Sequence, residues 1–117
     1  MKDRSKKYLF DILSAIDEMK IVVEATPTLD DYMKNRTVQL AVERLLSIIG
    51  EATSRLEKSG SQVLFGHVRQ IKGLRNKIIH DYDDLDENMI WETIQQDLPI
   101  LRQEIYEILK DDPEFTG

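Results

Sequence analysis

At 117 residues the chain is sized for one compact domain, expected over 1–117 with a core from about 5 to 110. Hydrophobic residues at 41% exclude a disordered chain, and the lack of cysteine excludes a disulfide framework or thiolate metal site, which fits a reducing cytoplasm. A net charge of −6 argues against a basic nucleic-acid coat protein; no apolar run reaches membrane length, and no signal core follows Met1-Lys2-Asp3-Arg4.

The first helix is expected over residues 5–25, where Leu9, Ile12, Leu13, Ile16, Met19 and Val23 recur at three- and four-residue spacing. Thr26-Pro27-Thr28 ends it, because a residue before proline is pushed out of the helical region. Tyr8 and Phe10 read as packing residues. A second helix is expected from Leu29-Asp30-Asp31, whose acids suit a first turn, to about Lys58, which would make it about 40 Å or more long. Its stripe is Val38, Ala41, Val42, Leu45, Ile48, Ile49, Ala52 and Leu56. Gly50 costs that helix about 1 kcal/mol against alanine, and the close approach of another helix would offset the cost. Glu43 and Glu51 lie off the stripe and read as surface acids, unless one of them pairs with Arg75.

Ser59-Gly60-Ser61 is a turn, and a third helix runs from Gln62 or Phe65 to His80 or Tyr82, weakened by Gly66 and Gly73. Asp81, Asp83, Asp84, Asp86 and Glu87 follow as an acidic turn. It lacks the ligand spacing and glycine of a calcium loop, so helix capping by Asp84 or Asp86 is expected and no metal. The last element, Glu87 to Lys110, should kink or split near Asp97-Leu98, ahead of Pro99, with Trp91 as a core anchor. The tail from Asp111 to Gly117 is expected to fray. Together these elements predict an all-α fold, an up-and-down four-helix bundle with a kinked or split last helix.

The chemistry concentrates in Arg75-Asn76-Lys77-Ile78-Ile79-His80-Asp81-Tyr82. By helical count Arg75 lies within about 60° of Val68, Ile71, Ile78 and Ile79, inside its own apolar stripe. A monomer would then have to bury it unpaired, which argues for a dimer. Asn76 and His80 are stacked neighbours four residues apart. Residues 66–80 hold Arg69, Lys72, Arg75 and Lys77 and no acid, a local +4 that leaves −10 on the rest. Such an island suits a polyanion, although a solvated helix face would look the same. His67, the other histidine, has no ligand set around it. The residues lack a phosphate loop, a metal-binding histidine pair or a serine elbow.

The spacing of Arg75, His80 and Tyr82 resembles the Arg-X4–6-His signature of HepT-like toxins, a branch of the HEPN superfamily of small helical ribonucleases, in which a polar residue such as Asn76 follows the arginine. Ile49-Gly50-Glu51-Ala52 is similar to the end of that family's second-helix segment, and Trp91-Glu92-Thr93-Ile94 with Asp97-Leu98-Pro99 is similar to its last helix. The likeness runs from about Tyr8 to Leu109, with one departure: the family tends to place an aromatic residue, often tryptophan, several positions before the motif, and Phe65 and Val68 stand there.

The resemblance implies a metal-independent RNA endonuclease without cofactor, the toxic half of a toxin–antitoxin pair. Arg75, Asn76 and His80 would be its catalytic residues, and Arg69, Lys72 and Lys77 would bind RNA. It also implies a homodimer with a composite cleft, which suits chemistry needing both an acid and a base when each motif holds one histidine. A small nucleotidyltransferase would be the antitoxin and could attach AMP to Tyr82. The alternatives are an idle helical module that binds nucleotide or the nucleotidyltransferase, and a structural dimerisation bundle.

Overall fold

The structure, a computed structural model, describes residues 3–59, 68–80, 83 and 85–115, without the side chains of Asp3, residues 68–72 and Leu74. Its elements are α1 (Asp3–Val23), α2 (Leu29–Met33), α3 (Arg36–Lys58), α4 (Val68–His80), α5 (Glu87–Glu92), a π-helical turn (Thr93–Asp97) and α6 (Leu98–Leu109). The fold is all-α, with no strand among the described residues. No helix among them is long and apolar enough to cross a membrane.

The stripes foreseen on α1 and α3 meet. Leu9, Ile12 and Met19 of α1 and Leu46, Ile49 and Leu56 of α3 are all but fully buried, each worth about 1.5–3 kcal/mol of transfer. On this central pair α4 packs against α3, and α6 packs against α1 with Leu98, Leu101 and Ile105 in the same core.

The expected single helix from Leu29 to Lys58 is two helices. Asn35 leaves the helical region and its side-chain oxygen accepts from the Val38 N–H at 3.0 Å, which starts α3 afresh. The Gln39 amide donates to the carbonyls of Tyr32 and Met33 at 2.9 and 3.2 Å, satisfying the end of α2. The break lets Tyr32 turn fully inward, where its ring lies 5.3 Å from that of Trp91. Trp91 itself is only half-buried.

Asp86 caps α5, accepting from the N–H groups of Asn88 and Met89. The discontinuity expected ahead of Pro99 takes the form of the π turn. Proline has no N–H for the Gln95 carbonyl, and the helix widens so that the Leu98 N–H donates to Thr93. The tail does not fray through Phe115. Lys6 pairs with Asp112 and Glu114, each at 3.2 Å, and the Phe115 ring packs on Phe10 and Tyr106 at 6.0 and 5.7 Å. A terminal aromatic with two nearby acids finds both an apolar and a cationic seat, which the sequence distance between them conceals.

Candidate active site

Arg75 reaches its position because Gly50 has no side chain. A Cβ on Gly50 would overlap the Arg75 Cβ and stand 2.7 Å from its Cγ. The arginine therefore lies in a slot on α3, the close approach that the mid-helix glycine suggests. From that slot Nη2 donates to Glu51 Oε2 at 2.6 Å and Nη1 donates to Asn76 Oδ1 at 3.3 Å. Nε is buried without an acceptor among the described residues. Of the five guanidinium N–H groups, one on each terminal nitrogen remains for a ligand.

Glu51 is thus the acid that meets Arg75, and it serves two arginines. It also accepts from Arg55 Nε at 3.0 Å, one helical turn along α3. The Arg55 hydrogen bond, opposed by desolvation and aided by the charge of Arg75, holds the Glu51 carboxyl below its ordinary range. This pairing removes the burial argument for a dimer. Arg75, with about a quarter of its side chain exposed, has its counter-ion within the same chain.

His80 closes α4, exposed and without a hydrogen-bond partner among the described residues. Asn76 is bonded to Arg75 rather than to His80, so the structure joins two of the three candidate catalytic residues directly. Lys77 is half-buried on the same helix. The side chains of Arg69 and Lys72, together with His67 and Tyr82, lie outside the described residues.

Glu43 is not a surface acid. It is 4% exposed and sits between Arg36, whose Nη1 donates to it at 3.2 Å, and Glu87. Glu87 Oε2 accepts from the Tyr32 hydroxyl at 2.6 Å. Desolvation first, then a hydrogen bond to Glu87, pushes the Glu43 carboxyl up to about 7. Burial and the Glu87 bond likewise hold the Tyr32 phenol protonated. This cluster ties α2, α3 and α5 together and includes no motif residue. No group of acids and histidines among the described residues could hold a metal ion.

Beside Arg75 opens a cleft of about 400 Å³ between α1, α3 and α4. Lys7, Tyr8 and Asp11 line it from α1; Arg44, Ser47, Ile48, Glu51, Ala52 and Arg55 from α3; Arg75 and Ile79 from α4. Sequence reasoning placed the cations on α4 and missed Lys7, Arg44 and Arg55. The available signal was the spacing of Arg44, Ile48, Glu51 and Arg55, which puts all four along one face of α3.

A family model described as "Ribonuclease HepT-like" matches residues 12–108. A Methanocaldococcus jannaschii protein named as an RNase is 32% identical over 110 residues, 91% of each chain. A Thermococcus cleftensis protein named as ribonuclease HepT is 32% identical over 114 residues, 94% of this chain and all of the relative. One from Aphanizomenon flos-aquae named tRNA nuclease HepT is 29% identical over 92 residues, 57% of this chain and 63% of its own. No solved structure matches.

Proposed function

The chain belongs to the ribonuclease HepT-like family, and from this premise we propose that it is a metal-independent endoribonuclease, the toxin of a toxin–antitoxin pair. The observation that supports this reading is the pre-set Arg75 guanidinium, with one N–H on each terminal nitrogen left free by the described residues, on the same helix as His80, which is exposed and has no hydrogen-bond partner among them. A planar fork of this kind matches two oxygens of a phosphate.

Cleavage then needs a base, an acid and a cation. The RNA 2′-oxygen attacks phosphorus as one imidazole takes its proton. The bond to the 5′-oxygen breaks, and that oxygen receives a proton from a second imidazole. The products are a 2′,3′-cyclic phosphate and a 5′-hydroxyl. Arg75 holds the charge that builds on the equatorial oxygens, and Asn76 keeps the guanidinium in its plane. Because each motif supplies one histidine, the second imidazole is His80 of the partner subunit in a two-fold dimer. Lys77, with Arg69 and Lys72, attracts the RNA backbone.

The name of the Aphanizomenon relative makes tRNA the first substrate to try. The protein acts in the cytoplasm, and its antitoxin is a nucleotidyltransferase that transfers AMP to Tyr82. The deciding experiment incubates the purified protein with tRNA in EDTA and maps the cut ends. Cyclic-phosphate ends, absent with His80→Ala, support the reading. Activity that EDTA abolishes would point to metal-assisted hydrolysis and end it.

A further inference from the structure

We propose that the cleft between α1 and α3 is a second phosphate-binding region, in which Arg44 and Arg55 hold the RNA phosphates on either side of the one gripped by Arg75. This rests on the ribonuclease reading and extends the bound strand from α4 onto α3. The observation is a charge inversion. In a chain of net charge −6, the described residues lining this cleft set Lys7, Arg44, Arg55 and Arg75 against Asp11 and Glu51. Both acids are already engaged: Asp11 accepts from Lys7 at 2.8 Å, and Glu51 is shared by Arg55 and Arg75. Arg44 is exposed and has no ion pair among the described residues.

The geometry gives the strand a path. Arg44 and Arg55 are three helical turns apart on α3, a rise of about 16 Å. Glu51 lies between them and carries Arg75 on its other oxygen, so the order along the helix is Arg44, Arg75, Arg55. A span of that length suits successive phosphates of a short oligonucleotide and is too long for one phosphate. Arg55 turns Nε to Glu51, which orients its fork, and Tyr8 lines the same cleft. Tyr8, Ile48 and Ile79 supply apolar surface against which bases can rest without sequence preference.

The test separates binding from cleavage. In a His80→Ala background, the affinity of a fluorescent ten-nucleotide RNA is measured across salt concentrations. Arg44→Gln should weaken binding roughly threefold to tenfold at low salt and flatten the salt slope by about 0.7 for the lost phosphate contact. Arg55→Gln should do the same and Arg55→Lys should largely restore it, whereas Lys110→Gln, outside the cleft, should change nothing. With an active background, Arg44→Gln should raise KM for the oligonucleotide and leave cleavage of a dinucleoside monophosphate, which has only the scissile phosphate, at the parental rate. Unchanged affinity and slope for Arg44→Gln would overturn the proposal, as would a loss traced by sedimentation to a weakened dimer. If the wild-type chain cleaves nothing yet binds RNA through Arg44, the ribonuclease reading falls and the cleft stands.

Discussion

Arg75 and His80 differ in how they are held, and the difference predicts how their variants behave. His80→Ala removes an exposed side chain without a described partner, so the melting temperature should stay within about 2 °C while cleavage falls at least about 100-fold. Arg75→Ala should abolish cleavage to a similar degree. Its effect on stability should be modest, since Glu51 keeps Arg55 as a partner and the part-buried pair is replaced by an alanine that leaves no unpaired charge. Thermal melts beside a cleavage assay check both. If Tyr82 is the control point, co-expression with the nucleotidyltransferase adds AMP to the chain, and Tyr82→Phe loses both the added mass and the protection. Intact-mass measurement with peptide mapping decides it, and full protection of an unmodified Phe variant would show inhibition by binding alone. That Arg75, Asn76 and His80 share one helix was legible in the sequence, because they lie within six positions of each other. The partner of Arg75 was not. Glu43 and Glu51 look alike along α3, and only the docking of α4 on Gly50 selects Glu51.

Among the elements, the contact of α3 with α4 has the least tolerance. Gly50→Ala would regain about 1 kcal/mol of helix propensity but force apart two backbones whose Cβ positions overlap, an overpacking cost of about 1–3 kcal/mol. The expected outcome is a lower melting temperature with cleavage reduced more than stability, because Arg75 moves with α4. Trimming Arg75 to alanine should not rescue it, since the overlap begins at the Cβ that alanine keeps. An unchanged melting temperature would show that the helices have room to separate. The glycine could be read in advance because a helix interior rarely keeps one without cause. The split between α2 and α3 was missed for the opposite reason. Asn35 is a good N-cap, but the stripe from Val38 onward masks it, and what fixes the break is Tyr32 finding Trp91 and Glu87 some 55 residues away.

For the whole molecule, stability should depend on pH through Glu43. Its folded pKa is raised to about 7 from an ordinary 4.5, so its favourable contribution is present in full below the unfolded value and is lost as pH rises through 7. Glu43→Gln, which keeps the shape and removes the charge, should raise the melting temperature above pH 7 and flatten the decline between about pH 5 and 8. A melt series across that range checks the sign, and identical curves would mean that Arg36 neutralises the carboxylate fully. The assembly is expected to sediment as a dimer at micromolar concentration, since one motif imidazole per chain cannot be acid and base at once; a monomer that still cleaves would refute this. How the chain comes to be armed follows from the slot at Gly50. Arg75 and Glu51 are 24 residues apart, and neither the fork nor its orientation exists until α4 has docked on α3. A nascent chain, or one with α4 detached, carries every letter of the motif but not the reagent. The ordered Arg75 fork is therefore a product of tertiary folding, and a chain in which α4 is detached lacks it.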